Sequence, residues 1–203
     1  MTADTLTPRV DLAFRLAGKQ VPRDHGYALF GAICRILGDL HGAPWLAVHP
    51  IAGVPRPDGT LGLDPRRGSL CIRVEPGEIP RVLPLAGKRL ELDGHTALVG
   101  VSSVQALAPT PTLVARMATI KGFMEPEPFR DAAKRQLAAL GVEARLEVGR
   151  RRVLRVNGDV VVGFGVTLHE LSEEGSLKVQ YAGLGGKQRM GCGVFVPLGR
   201  RGA

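Results

Sequence analysis

Two halves with the same order of predicted strands and helices are the feature that most constrains the fold of this chain. A strand-like alternation over Val10 to Ala17 and a helical pattern over His25 to His41 open the first half, and strands follow. Pro109, Thr110 and Pro111 then form a stiff connection that excludes a helix, and the order begins again. Each half approximates βαββαβ, the ferredoxin-like plan, without a repeat at the level of sequence.

The first half, residues 1–108, is predicted to be one domain. Its other strands are predicted at Trp45 to Ile51, Ser69 to Glu75, Arg89 to Leu92 and Thr96 to Leu107, with a short helix at Ile79 to Leu85. Residues 53–68 are predicted to be a loop, because proline and glycine are dense there. Asp24 is a predicted N-cap for the first helix, and Asp93-Gly94 predicts a hairpin turn.

The second half, residues 112–203, is predicted to be a second domain of the same kind. Its strands are predicted at Thr112 to Lys121, Val142 to Val148, Arg151 to Val156, Val160 to Leu168 and Val194 to Leu198, and its helices at Pro126 to Leu140 and Ser172 to Ala182. Asn157-Gly158 is the strongest hairpin signal in the chain. The predicted fold class is therefore α+β, with two tandem ferredoxin-like, RRM-like domains.

Residues 183–193 concentrate five glycines and two cations, Lys187 and Arg189. Glycine lets a backbone approach a ligand closely and adopt positive φ, and successive N–H groups can then surround an anion. Phosphate contact is the functional interpretation of this glycine-rich segment. The segment fits neither the Walker loop nor GxGxxG, because Gln188 occupies a position that both motifs reserve for another residue. A hairpin whose glycines serve only tight packing is the structural alternative, and it stays open.

The net charge of +8 favours a polyanionic partner, and most of it lies in the second half. Residues 1–110 hold 12 Lys and Arg against 10 Asp and Glu, whereas residues 111–203 hold 15 against 9. No apolar run could span a bilayer and no signal-peptide core begins the chain, which predicts a cytoplasmic protein without a membrane partner. Three separated cysteines and the lack of metal-ligand spacing predict reduced thiols and no metal site.

Three stretches of sequence together resemble a known family. They read DHGYALFGAICRIL near the start, ATIKGFMEPEPF in the middle and GLGGKQRMGCGVFVP near the end. Gly183, Gly185, Gly191 and Gly193 occupy the glycines of a GhGxxxxxGxG motif. This combination is similar to the CRISPR-associated repeat-processing endoribonucleases (the "Cas-six" family) of the RAMP superfamily, and to their myxobacterial-type subgroup.

The resemblance implies an enzyme that cleaves CRISPR repeat RNA without a metal or other cofactor. In such enzymes the 2′-hydroxyl attacks the adjacent phosphate and leaves a 2′,3′-cyclic phosphate and a 5′-hydroxyl. The partners implied are CRISPR repeat RNA, its crRNA product and other subunits of a CRISPR effector complex. A non-catalytic subunit that only holds the repeat RNA is the first alternative. A basic adaptor that contacts only protein is the second.

Cleavage of this kind needs a base, an acid and cations for the developing charge. His25 is the predicted catalytic histidine, because the family places one near the start of the first helix and a helix N-terminus keeps imidazole neutral. Tyr27 could orient the reacting groups or pack on the sheet, and both interpretations stay open. The other histidines are predicted to have structural or surface roles: His41, His49, His95 and His169.

The predicted RNA-binding residues fall into two groups. The first comprises basic residues outside the glycine-rich segment: Lys121, Arg150, Arg151 and Arg152, with Arg116 and Arg155 as weaker candidates. The second comprises the glycine-rich segment: Gly183, Gly185, Lys187, Arg189, Gly191 and Gly193. Aromatic residues are only 4% of the chain, which favours recognition of RNA backbone and hairpin shape over base stacking.

Overall fold

The computed structural model describes residues 6–64 and 66–199, and antiparallel sheets with helices packed on them organise this part of the chain. The elements in chain order are β1 (Val10–Ala17), β2 (Gln20–Pro22), α1 (Gly26–Leu37), β3 (Leu46–Val48), β4 (Val54–Pro55), β5 (Thr60–Gly62), β6 (Ser69–Val74), α2 (Ile79–Val82), β7 (Arg89–Leu92), β8 (His95–Ala106), β9 (Leu113–Ala118), α3 (Pro126–Ala139), β10 (Arg145–Val156), β11 (Asp159–His169), α4 (Glu173–Ala182) and β12 (Val196–Pro197). Short 3₁₀ turns lie at Pro76–Glu78, Leu83–Leu85 and Gln188–Met190.

The sheet of the first half has the strand order β3-β6-β1-β8-β7. Apolar residues recur at helical spacing in α1, so Leu29, Phe30 and Ile33 share one buried face. This face packs on the sheet, whose inward side chains include Leu12 and Phe14. Each such side chain contributes about 1.5–3 kcal/mol when it is buried, so the packing fixes α1 and the residues just before it on the sheet.

The sheet of the second half has the strand order β10-β11-β9-β12. Phe129 of α3 packs against Phe164 of β11, with ring centroids 4.9 Å apart. Asn157 and Gly158 both have positive φ and turn β10 into β11, which confirms the hairpin predicted from this dipeptide. The protein is therefore a mixed fold of sheets and helices. No helix among the described residues is long and apolar enough to cross a membrane.

Arg73 of β6 joins the two halves through buried hydrogen bonds. Its guanidinium is 1% exposed and donates to both carboxylate oxygens of Asp11 on β1, at 2.8 and 3.2 Å. Its Nη1 also donates to the carbonyl oxygens of Gln180 and Phe195 in the second half, both at 2.9 Å. A buried charge that loses its partners is strongly destabilising, so this arginine fixes how the halves meet.

The first half departs from prediction at three places. Helix α1 begins after His25 and ends at Leu37, so His41 lies beyond the helix end, where it pairs with Asp39 rather than with the helix dipole. The predicted N-cap Asp24 is also wrong, because its carboxylate accepts the N–H of Arg155, 131 residues away. Residues 53–68 are not only loop, since β5 pairs with β2 on one side and with β4 on the other in a small third sheet.

The second half departs from prediction at β10, which was expected to be two strands. One continuous strand runs through Arg145–Val156, with a shift of register between Val148 and Arg151. The glycine and arginine inside this shift break the apolar alternation, which explains why the sequence pattern divides there. Such a bulge redirects the side chains that follow it and is common beside functional sites.

Candidate active site

A cavity of about 550 Å³, here the central cavity, lies where the two halves meet. The first half contributes the turn before α1 and the segment after β3, and the second half contributes β9, β10 and the glycine-rich segment. The lining residues with charges or imidazole rings are Arg23, Asp24, His25, His49, Arg116, Arg151 and Arg152. The four arginines, here the arginine cluster, give the wall the positive charge that a polyanion site requires.

His25 comes directly before α1 and is only 2% exposed. Its Nε2 accepts a hydrogen bond from the N–H of Ile51 at 2.8 Å, and its Nδ1–H donates to the carbonyl oxygen of Pro22 at 2.9 Å. Burial lowers the pKa of His25 to about 4; the hydrogen bond to Pro22 opposes this change, and the charge of Arg116 adds to it. His25 is therefore neutral at pH 7, with its lone pair on Nε2.

Contacts from the second half fix the turn that carries His25. Asp24 accepts the backbone N–H of Arg155 at 3.0 Å, and Arg116 donates to the carbonyl oxygen of Arg23 at 3.3 Å. Gly26 faces the carbonyl oxygen of Met190 so closely that a Cβ would overlap it. The position of His25 therefore depends on how the two halves dock, and not on the turn alone.

Arg116 lies at the centre of the arginine cluster. Burial lowers the pKa of Arg116, the charges of Arg152 and Arg23 lower it further, and Asp24 opposes the change. Like charges that line one cavity repel one another, and a bound polyanion relieves that repulsion. An adjoining cavity of about 470 Å³ beside the small sheet shares Arg23, Arg116 and Arg152 and adds Arg67, so the cationic surface extends beyond the central cavity.

The bulge in β10 separates the three consecutive arginines that the sequence singled out. Arg151 and Arg152 follow the bulge and line the central cavity. Arg150 lies within the bulge, is exposed and is not among the lining residues. The structure thus brings two of the three predicted residues to the site.

Cys192 also lines the central cavity, but its chemistry is blocked. Its side chain is buried, and burial raises the pKa of the Cys192 thiol to about 12 against the opposing charges of Lys187 and Arg116. A thiol that stays protonated is a poor nucleophile. Cys192 therefore serves as a packing residue of the wall.

The glycines of the glycine-rich segment have a structural reason to be there. Gly185 has a φ of 74°, and a Cβ on it would overlap the carbonyl oxygen of Thr119. Gly193 has a φ of 66°, and a Cβ there would overlap the carbonyl oxygen of Leu184. Gly183 and Gly191 also have positive φ, at 68° and 86°. Tight backbone packing therefore accounts for glycine at these positions, and their contact with RNA stays a prediction.

Most N–H groups of the glycine-rich segment are already hydrogen-bonded inside the fold. Gly186 donates to Thr119, Gly193 to Met117, and Gly185 to the side chain of Gln136, at 2.7 to 2.9 Å. Amides that are paired in this way cannot also surround a phosphate. An anion would therefore contact the side chains of this segment rather than its backbone N–H groups.

Lys187 and Arg189 line a smaller cavity of about 240 Å³, which shares no lining residue with the central cavity. Arg9 lines the same cavity and donates through Nη2 to the carbonyl oxygen of Pro44 at 2.7 Å. The Nη1 of Arg9 is buried and has no hydrogen-bond partner among the described residues. Three cations converge here, which makes a second place where a phosphate would be stabilised.

The remaining predicted residues lie outside the central cavity. Tyr27 is in the first turn of α1 and is 41% exposed, and it is not among the lining residues. Lys121 is exposed in the turn that follows β9. The predicted role of Lys121 would require RNA that extends beyond the cavity, and the role of Tyr27 in orienting the reacting groups stays a prediction.

Sequence reasoning missed His49, which was assigned a structural role. It follows β3, is 7% exposed and lines the central cavity with His25. Its Nε2–H donates to Asp11 at 3.2 Å, and Arg73 holds the same carboxylate. The flanking Val48 and Pro50 gave no signal of this, because the cavity forms only when distant segments meet.

Comparison with known proteins gives the family. Residues 10–200 match the Cas6 family, described as "Cas6 Crispr". The chain is 44% identical over 191 residues to the CRISPR-associated endonuclease Cas6 of Myxococcus xanthus (strain DK1622), a match that covers 94% of this chain and 82% of that protein.

Solved structures of low sequence identity share the fold. A Cas6-related protein from Pyrococcus furiosus is 13% identical with a TM-score of 0.65, over 95% of this chain and 100% of that one. Thermus thermophilus Cse3, bound to an RNA representing a pre-cleavage complex, is 14% identical with a TM-score of 0.52, over 93% and 98% of the two chains. The family match and the extent of identity with the Myxococcus protein together show that this chain belongs to the Cas6 family of CRISPR-associated proteins.

Proposed function

We propose that this protein is a metal-independent endoribonuclease that binds and cleaves CRISPR repeat RNA (pre-crRNA) to give mature guide RNA. Its Cas6 membership and the endonuclease name of the Myxococcus relative support this proposal. The observation that carries it is the central cavity, in which a neutral histidine lies among four arginines. Phosphodiester cleavage needs this combination, because a proton acceptor must act where cations stabilise the developing charge.

In the proposed reaction, His25 removes the proton of a 2′-hydroxyl. The oxygen attacks the adjacent phosphorus, the bond to the 5′-oxygen breaks, and the products are a 2′,3′-cyclic phosphate and a 5′-hydroxyl. The arginine cluster stabilises the negative charge that builds on the phosphoryl oxygens. All the atoms that react belong to RNA and to protein side chains, so the reaction needs no metal.

The hydrogen bonds of His25 set a condition on this reaction. Its Nε2 lone pair is engaged by the N–H of Ile51, so the 2′-hydroxyl must take the place of that N–H. The hydrogen bond from Nδ1 to Pro22 can persist and hold the ring in the required tautomer. A nearby phosphate then raises the pKa of His25, because a negative charge favours imidazolium, and this makes the ring a better base when RNA is bound.

We also propose that the two halves are tandem ferredoxin-like domains, at residues 1–108 and 112–203. The strand orders support this division. When the four main strands of each half are renumbered from 1 to 4 in chain order, both sheets read 2-3-1-4, and β7 is an extra edge strand in the first. The helices α1 and α3 follow the first strand of each unit, as the βαββαβ plan requires. RNA would then bind across the junction of the domains.

The RNA path that these surfaces support starts at the central cavity and crosses the glycine-rich segment. Lys187 and Arg189 line the smaller cavity together with Arg9. The proposed RNA contacts outside the central cavity are Lys121, Arg150, Lys187, Arg189 and the glycines Gly183, Gly185, Gly191 and Gly193. Tyr27 is proposed to contact RNA that leaves the cavity along α1.

A second candidate function is a non-catalytic subunit that keeps the repeat RNA within a CRISPR effector complex. The observation that favours it is that backbone groups occupy both ring nitrogens of His25. In this case the arginine cluster would bind RNA, but His25 would stay hydrogen-bonded to the backbone and would not act as a base. Other subunits of such a complex would then be expected partners.

Cleavage of a labelled repeat RNA in EDTA separates the two functions. The proposed function predicts multiple turnover by the wild-type protein, and a loss of about 10²- to 10⁴-fold in His25→Ala with RNA binding retained. His95→Ala is the matched control, since this histidine starts β8 and lines none of the three cavities. Binding by the wild-type protein without any product would support the non-catalytic function. Full activity of His25→Ala would remove His25 as the base.

A further inference from the structure

His49 shares the central cavity with His25, but it has a very different environment. It is held at the end of the β3 segment, where its backbone N–H donates to the carbonyl oxygen of Cys71 at 2.9 Å. The ring lies in the cavity wall and reaches the carboxylate of Asp11 through Nε2, at 3.2 Å. Backbone groups surround the ring nitrogens of His25, whereas a carboxylate faces His49.

A network of buried bonds keeps the carboxylate of Asp11 ionised beside His49. Burial alone raises the pKa of Asp11, but hydrogen bonds and charges from His49 and Arg73 outweigh it and hold that pKa far below its ordinary value. Arg73 is itself fixed by carbonyl oxygens of Gln180 and Phe195. An ionised carboxylate that accepts the Nε2 proton fixes the tautomer of a histidine and stabilises its charged form.

The two histidines therefore have environments that favour opposite protonation states. Burial and backbone hydrogen bonds favour the neutral form of His25, and Asp11 favours the charged form of His49. Two titratable groups in one site whose environments differ in this way suit the roles of base and acid. The proposed reaction needs both roles, because the 5′-oxygen leaves as an alkoxide unless a proton reaches it.

We propose that His49 is the general acid of the cleavage reaction, with Asp11 as its positioning residue. The inference rests on the proposed function. His25 takes the proton of the 2′-hydroxyl as the new P–O2′ bond forms and the P–O5′ bond breaks. A ring proton of His49 passes to the 5′-oxygen, and the carboxylate of Asp11 holds the ring in place through Nε2. His25 ends charged and His49 ends neutral, and exchange of one proton with water restores both.

The charges around His49 link its protonation to RNA binding. Asp11 from β1 favours imidazolium, whereas Arg73 from the neighbouring β6 opposes it, and the Cys71 thiol of β6 lies close by. Across the cavity, the arginine cluster opposes a further positive charge, and Asp24 offsets part of it. RNA phosphates offset the charge of the cluster, which favours the charged form of His49 when substrate is bound.

An RNA with sulfur in place of the 5′-bridging oxygen at the scissile phosphate tests this assignment, because a thiolate leaves without a proton. His49→Gln should slow cleavage of the ordinary RNA by about 10²-fold or more, and cleavage of the sulfur RNA by less than tenfold. Asp11→Asn should slow only the ordinary RNA, to a smaller extent. His25→Gln is the matched control and should slow both RNAs alike, because the base is needed for either leaving group.

Equal losses of His49→Gln on both RNAs would overturn the assignment, and so would an unchanged rate on ordinary RNA. The wild-type protein provides a test that does not depend on whether a variant folds. Its rate on ordinary RNA should fall at high pH as the acid loses its proton, and this fall should be missing with sulfur RNA. The same fall on both RNAs would reject His49 alone, whereas no cleavage of either by the wild type would reject the proposed function itself.

Discussion

Gly185→Ala should destabilise the protein, although alanine is otherwise the better residue for an ordered backbone. Gly185 has a φ of 74°, and an L-residue in this left-handed region costs roughly 1–2 kcal/mol. The new Cβ would overlap the carbonyl oxygen of Thr119, and such overpacking costs about 1–3 kcal/mol. The stiffer unfolded chain returns about 0.4–1 kcal/mol. The expected net loss in the free energy of unfolding is therefore about 1–4.5 kcal/mol.

Gly186→Ala is the matched control, one residue along the same segment. Gly186 has no positive φ, and a Cβ there meets no atom within 4 Å among the described residues. Its free energy of unfolding should stay unchanged or rise by up to about 1 kcal/mol. Urea unfolding followed by circular dichroism measures both variants, with the midpoint read at a constant slope.

Unfolding of Gly185→Ala at the wild-type urea midpoint would contradict the packing role of Gly185. If Gly186→Ala then lost RNA binding at unchanged stability, the glycines would serve close approach of RNA rather than packing. The two variants thus separate the two interpretations that the sequence left open for this segment.

Three other perturbations test the junction and the site. Arg73→Met should lower the free energy of unfolding by about 3–5 kcal/mol, since it removes the guanidinium that pairs with the buried Asp11 carboxylate. Arg130→Met, at an exposed ion pair of α3, should change it by less than about 1 kcal/mol. Because the fold lowers the pKa of His25 to about 4, neutral His25 contributes to the free energy of unfolding above pH 6.5, and this contribution should be lost as the pH falls to 4. It amounts to at most about 3 kcal/mol, and this pH dependence should be missing in His25→Gln. Arg152→Ala should weaken RNA binding and reduce the slope of log K against log salt by about 1, with Arg150→Ala, outside the central cavity, as the comparison that should change less.

Local signals in the sequence predicted much of the fold, because they depend on neighbouring residues. The alternation in β1 needs only the strand itself, and Asn157-Gly158 needs only its own turn. Asp24 shows the limit of this reasoning. Its position before a helix suggested an N-cap, but the carboxylate is used by a strand of the other half. No local pattern contains that contact.

The candidate site was predicted only in part, because local signals identify some of its residues and long-range contacts bring in the others. His25 was found through a family resemblance and its position before a helix, and Lys187 and Arg189 through their glycine-rich surroundings. The sequence did not place His49 or Arg9 at a cavity, and it did not separate Arg150 from Arg151 and Arg152. Each depends on which segments face one cavity, and long-range docking decides that. The packing role of Gly185 was likewise hidden, because Thr119 is remote in sequence.

The central claim is that the 2′-hydroxyl at the scissile position of a CRISPR repeat RNA attacks its own phosphate within the central cavity. A repeat RNA with a single 2′-deoxy substitution at that position tests it directly, with binding measured on the same RNA. We expect unchanged binding, no cleavage of the deoxy RNA in EDTA, and a 2′,3′-cyclic phosphate end on the product of the unmodified RNA. Cleavage of the deoxy RNA at the normal rate, or a product that ends in a 5′-phosphate, would contradict it.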